Sequence, residues 1–273
     1  MKKKLAKLLV LTMVLGFVLT GCGGGDEEKA KGDAAEGDKL VYAVEAGSAG
    51  EAAAKENDFE FNAVNSQADA LMEVASGTSD AAIIDLLMAG AMIGEGTSYP
   101  DMIHTDELTT EEYGVGCRKD SDMVGLVNKV LADAYADGTM KEIAAKYGVQ
   151  DAVMEQGEAE DYKQAEKDSD IAYIKEKGTL IVGCTDFNPM DFKDKSGEWV
   201  GFDADMARLV GEELGVEVQF VELDWDNKIM EIQSKNVDLL WNGMTLTPEV
   251  TEALSCTNPY CKNAQVIVIP KED

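Results

Sequence analysis

The chain has 273 residues, 45% of them hydrophobic, with a formal net charge of −29 and a single histidine. That length can bury one large core or two modest ones. So acidic a surface repels phosphate backbones, which excludes a nucleic-acid-binding role.

The first 21 residues read as an export signal. Lys2, Lys3, Lys4 and Lys7 precede an apolar run from Leu8 to Thr20, shorter than the roughly 20 residues that span a bilayer. The run ends in Leu19-Thr20-Gly21-Cys22, which resembles a bacterial lipobox and implies cleavage before Cys22 and acylation of its thiol. Removing residues 1–21 takes away four lysines and no acids, moving the charge from −29 to −33. Residues 22–39 are mostly Gly, Asp, Glu, Lys and Ala, cannot bury enough apolar surface to order, and are expected to form a flexible tether.

Regular structure is expected from Leu40 onward. Val41–Val44 reads as a strand, Gly47-Ser48-Ala49-Gly50 as a tight turn into a helix, and Phe59–Val64 as an alternating strand. Ser66 should cap a helix that presents Ala68, Leu71, Met72 and Ala75 on one face and stops at Gly77. Ala81–Ile84 is a short apolar strand, followed by Asp85 and a helix to about Ile93. This strand–helix alternation argues for a parallel sheet covered on both faces.

Tyr113–Arg118 reads as a further strand, followed by helices bearing Val124, Val127, Leu131 and Tyr135, then Ile143, Ala144 and Tyr147. An acidic stretch over 150–170 leads to Leu180–Gly183, a second strand–helix series. There Asp203 is expected to cap a helix bearing Met206, Leu209, Val210 and Leu214; Val216–Val221 alternates; a helix runs from Asn227 to Ser234. Asp238–Trp241 reads as a buried strand. Cys117, Cys184, Cys256 and Cys261 match no zinc spacing and are read as small apolar fillers, with a Cys256–Cys261 disulfide left open. His104 suits a surface or strand-end position.

The stretches GTLIVGCTDFNPMDF from Gly178, GEWVGFDADMARLVGEELGVEVQFVELDW from Gly197 and KNVDLLWNGMTLTPEVTEALSCTNPYCKNAQVIVI from Lys235 resemble the opening lobe of solute-binding family 3. These are polar amino-acid-binding proteins of ABC importers. The family's other half is similar to the region from about Lys39 to Val149, placed ahead of the first. The resemblance therefore implies an α/β, two-lobed, type 2 periplasmic binding fold, each lobe a mostly parallel sheet with flanking helices, in circularly permuted order. Its implied parts are lobe two over 40–112, a hinge strand and return helices over 113–149, a linker over 150–170, and the main part of lobe one over 171–269. Tyr113–Arg118 and Gln265–Ile269 would form the hinge.

Four binding devices follow from the resemblance. Asp85 would meet the ligand's amino group, and Phe187 and Trp225 would sandwich its side chain, with Asp186 beside them as an acid for cationic side chains. The loop Trp241-Asn242-Gly243-Met244-Thr245 would offer Asn242, Gly243 and the Thr245 hydroxyl. The fourth device, an arginine for the α-carboxylate, is missing: Val250 stands there, leaving either the amides of Ser48, Ala49 and Gly50 with Thr245 to take that role or a ligand that has no α-carboxylate. Asp85 equally fits a helix cap, Phe187 and Trp225 fit core packing, and Thr245 fits a cap.

The function implied is a receptor anchored outside the cytoplasm by a lipid on Cys22. It would capture a small polar solute, an amino acid, for an ABC permease by hinge closure, as a monomer without cofactor or metal and without enzymatic activity. Two rivals use the same fold: a sensory lipoprotein that has lost transport, favoured by Val250, and a dehydratase of the cyclohexadienyl type, disfavoured by the absence of any recognisable catalytic constellation. A domain-swapped dimer would place the same halves together by another route.

Overall fold

A computed structural model describes residues 39–271, so the expected signal peptide, the Cys22 lipidation site and all but the last residue of the tether lie outside the described residues. The first series comprises β1 (Val41–Glu45), α1 (Ala49–Glu56), β2 (Glu60–Val64), α2 (Gln67–Ser76), β3 (Ala81–Asp85), α3 (Leu86–Met92) and β4 (Met102–Glu107). Next come β5 (Glu111–Tyr113), β6 (Gly116–Cys117), α4 (Met123–Asp137), α5 (Thr139–Tyr147) and α6 (Asp170–Lys177). The second series begins with β7 (Thr179–Cys184), β8 (Phe192–Lys193), β9 (Trp199–Val200), α7 (Phe202–Leu214) and β10 (Glu217–Glu222). A 3-10 turn (Trp225–Asn227) then precedes α8 (Lys228–Gln233), β11 (Leu239–Leu240), α9 (Pro248–Ala253), β12 (Ser255–Cys256), β13 (Cys261–Asn263) and β14 (Gln265–Pro270).

Two five-stranded sheets organise these elements, in the orders β2-β1-β3-β14-β4 and β10-β7-β11-β6-β12. In each, four strands run the same way and one opposes them: β14 lies antiparallel between β3 and β4, and β6 antiparallel between β11 and β12. β3 is buried along its whole length, as its unbroken apolar run demands for a strand inside a covered sheet.

The connecting strands divide differently from expectation. Tyr113–Arg118 is not one strand: Gly114 and Val115 separate β5 from β6, which belongs to the second sheet. Gln265–Pro270 lies inside the first sheet, its backbone laddered to β3 on one side and β4 on the other. The chain passes between the sheets through β5 and β13, which pair with each other antiparallel.

Local signals explain most helix ends. Ser48 and Ser66 accept the backbone N–H of Glu51 and Asp69, each at 3.1 Å, and Gly77, Gly148, Gly178 and Gly215 close their helices with positive φ. Two details depart from expectation. Met72 is 54% exposed, and α2 instead buries Gln67, Ala70, Leu71 and Val74. α7 is capped by Gly201, not Asp203, whose side chain is wholly buried. A Cβ at Gly201 would lie 2.0 Å from the Met190 carbonyl oxygen, so only glycine admits this approach.

The acidic 150–170 stretch is tied down at both ends. Met154 donates to the Tyr260 carbonyl at 2.8 Å, and Asp122 accepts from Ala165 N, Ser169 Oγ and Ile171 N. Arg118 binds Asp170 at 2.8 Å and Asp238 at 3.4 Å and donates to the Val237 carbonyl at 2.9 Å, joining three chain segments in the second sheet's interior. All four described cysteines are unpaired, and His104 sits exposed on β4. Among the described residues no helix is long and apolar enough to cross a membrane.

Candidate functional site

A cavity of about 250 Å³ opens where the two sheets' strand ends and helix starts converge. The first series contributes Glu45 at the end of β1, Ser48 and Ala49 at the start of α1, Gln67 on α2, and Asp85 at the end of β3. The second contributes Trp225 and Lys228 from the turn entering α8, Asn242 to Thr245, and Thr247 to Val250 at the start of α9. Such convergence is where open α/β sheets generally bind ligands, because carboxyl ends of parallel strands and amino ends of helices present unsatisfied polar groups.

Asp85, Thr245, Trp225, Asn242, Gly243, Ser48 and Ala49 are thus brought together in one wall. Phe187, Asp186 and Gly50 are not part of it. Phe187 is 2% exposed and packs edge-on against Tyr113, with ring centroids 6.3 Å apart. It stands behind Gly243: a Cβ there would come within 2.5 Å of the Phe187 ring, and Gly243 has φ +54°. The expected two-sided aromatic sandwich therefore has one face on the cavity, that of Trp225. Asp186 is exposed, and Gly50 is turned inward, toward the carbonyl of Ile83.

Polar groups behind the wall are densely paired. Asp85 accepts from Gln67 Nε2 on one oxygen and from Tyr113 Oη, Asn263 Nδ2 and Gln265 Nε2 on the other. Burial, together with the charge of Glu111, pushes its carboxyl up to about 7, while these donors pull it back. Glu111 also accepts from Asn263, Gln265 and the Thr245 hydroxyl, each at 3.0 Å. Asn242 accepts from Thr185 N and Oγ1 and donates to Thr185 O and Asp191 Oδ2, which holds the 241–245 loop against β7. Asp203, facing inward, accepts from Gly243 N at 2.6 Å and Tyr260 Oη at 2.7 Å. Burial raises the carboxyls of both Asp191 and Asp203.

Three wall residues escaped the sequence reading. Glu45 is 3% exposed, and burial pushes its carboxyl up to about 8; the nearby Thr185 and Gln67 side chains and the charge of Lys228 pull it back, while the charge of Asp85 adds to the rise. Lys228 donates to the Gly47 carbonyl at 2.7 Å and the Trp225 carbonyl at 3.2 Å, and its ammonium lies 5.2 Å from the centre of the Trp225 ring. It therefore ties the second series to the first across the cavity. Gln67 positions Asp85 twice, accepting its N–H at 2.9 Å as well as donating to its carboxylate. Glu45 follows an apolar strand and Lys228 follows a tryptophan turn, yet nothing in local spacing distinguishes either from a surface charge. Val250 is buried at the wall, and no arginine lines it. Among the described residues no group of three or more His, Cys, Asp or Glu side chains is placed to hold a metal.

Residues 180–273 match the model of the bacterial extracellular solute-binding proteins, family 3. The likeness to that family lies in this segment, which holds the second series. It is 36% identical over 101 residues to a probable amino-acid ABC transporter-binding protein of Haemophilus influenzae, covering 37% of this chain and 39% of that one. It is 31% identical over 88 residues to the L-cystine-binding protein TcyJ of Escherichia coli K12, covering 32% and 33%. Among solved structures, a mutant of the arginine-bound form of domain 1 from TmArgBP shares 36% identity, with 38% of this chain and 86% of that chain covered and a TM-score of 0.33. The chain spans about two fifths or less of the length of these two curated relatives. The α/β architecture of two mixed sheets agrees with that likeness, and both curated relatives are by name binding proteins.

Proposed function

We propose that this protein is a lipid-anchored receptor outside the cytoplasm that captures a small polar solute, an amino acid, and delivers it to an ABC permease. The observation that carries this reading is the single wall to which both sheets contribute, with Asp85 from one and Trp225 and Thr245 from the other. A solute seated there touches both halves at once, so it stabilises the closed arrangement over the open one and shifts that equilibrium. β5 and β13, the paired passages between the sheets, are the natural hinge.

In this reading Trp225 covers the solute's side chain, and the Ala49 amide at the start of α1 takes its carboxylate, since the Thr245 hydroxyl already donates its proton to Glu111. Without an arginine fork the carboxylate loses a charge-assisted contact worth about 1.5–3 kcal/mol, which weakens binding without abolishing it. The order of the halves is a circular permutation of the family's: the first sheet takes 41–107 and 265–270, and the family-matched segment begins only at 180. Acyl chains on Cys22 would hold the protein at the membrane through residues 22–39.

A thermal-shift screen of residues 22–273 against the twenty amino acids tests the reading. At least one amino acid at millimolar concentration should raise the melting temperature by several degrees. A transition unmoved across the panel contradicts it.

A further inference from the structure

Glu45 and Asp85 end the neighbouring parallel strands β1 and β3, and both reach the cavity wall. Their surroundings differ sharply. Asp85 already accepts four donors, from Gln67, Tyr113, Asn263 and Gln265, about as many as a carboxylate's lone pairs can serve. Glu45 is as deeply buried, at 3% exposure against 5%, yet its Oε1 has no hydrogen-bond partner among the described residues. Buried polar atoms without partners are uncommon and costly, and at a functional wall the missing partner points to a ligand.

The charge of the wall agrees. Glu45, Glu56, Asp85 and Glu249 face one base, Lys228. The Lys228 ammonium bonds to the Gly47 and Trp225 carbonyls, not to Glu45. Of the acids on this wall, Glu45 alone is both desolvated and left with a free acceptor.

We infer that Glu45 is the specificity-determining carboxylate of the cleft, that it receives an ammonium or guanidinium group of the ligand, and that the solutes selected are basic amino acids. This rests on the receptor reading above. Asp85 then positions the wall through its four donors, and the cation is shared between Glu45 Oε1 and the face of Trp225. Since Glu45 ionises reluctantly beside Asp85, with Lys228 as its only nearby opposing charge, arrival of a cation should drive a proton from Glu45 into the solvent.

The test titrates residues 22–273, unchanged and as Glu45→Gln, with L-arginine, L-lysine and L-glutamine at pH 7. Calorimetry is run in two buffers of different ionisation heat. The unchanged chain should bind a basic amino acid at least tenfold more tightly than L-glutamine and release protons on doing so. Glu45→Gln should lose that preference by tenfold or more, lose the proton release, and keep a cooperative melt. Retention of both preference and proton release in Glu45→Gln overturns the assignment and leaves the receptor reading intact. So does tighter binding of L-glutamine by the unchanged chain. Failure of the unchanged chain to bind any of the twenty amino acids overturns both.

Discussion

Glu45 and Asp85 retain their protons to higher pH than exposed carboxyls, because burial disfavours the ionised form. An acid whose folded pKa exceeds its unfolded one binds more protons in the native state, so stability is present at low pH and falls as pH rises between the two values. For Glu45 that window runs from 4.5 to about 8, and for Asp85 from 3.8 to about 7. Glu45→Gln removes one of these penalties. In urea denaturation the variant should exceed the unchanged protein in stability at pH 8.5, on the order of a few kcal/mol, with the gap narrowing towards pH 5. A gap independent of pH would show that Glu45 does not ionise in this window. Val250 marks the other residue-scale departure: its side chain closes the wall by packing where the family resemblance implies a fork of donors.

At the scale of elements, the second sheet depends on Arg118, 8% exposed and bound to Asp170, Asp238 and the Val237 carbonyl. Arg118→Ala leaves two buried carboxylates without their shared partner and should cost about 3–5 kcal/mol, measured as a lowered urea midpoint with unchanged slope. A loss under 1 kcal/mol would mean that water or Lys177, which already donates to Asp238 at 2.6 Å, replaces it.

These elements were legible in the sequence wherever local chemistry decides them. Ser48, Ser66, Gly77 and Gly215 set helix ends through their own side chain or backbone freedom, and β1, β3 and β7 announce themselves as apolar runs. Decisions made by distant partners were not legible. Asp203 reads as a cap but is drawn inward by Gly243 N and Tyr260 Oη, 40 and 57 residues away. β4, with its polar run His104-Thr105-Asp106-Glu107, exists because β14 supplies its ladder from far along the chain. At the site, Asp85, Trp225 and Thr245 carried family motifs, whereas Glu45 and Lys228 acquire meaning only from the burial that tertiary packing imposes on them.

For the whole molecule the closing strand is β14. It inserts between β3 and β4, so the first sheet needs residues from both ends of the described chain. Within one chain this gives a monomer; exchanged between two, it gives a swapped dimer with the same ladders. Sedimentation equilibrium of residues 22–273 should return the monomer mass at micromolar concentration, and a strict dimer would favour the swap.

The account stands on one cleft walled by both sheets of one chain. Isothermal titration of residues 22–273 with the amino acid that most raises their melting temperature measures this directly. One molecule should bind per chain, with Trp225→Ala reducing affinity by about tenfold while the fold persists. Binding at full strength in Trp225→Ala, or at one molecule per two chains, would contradict it.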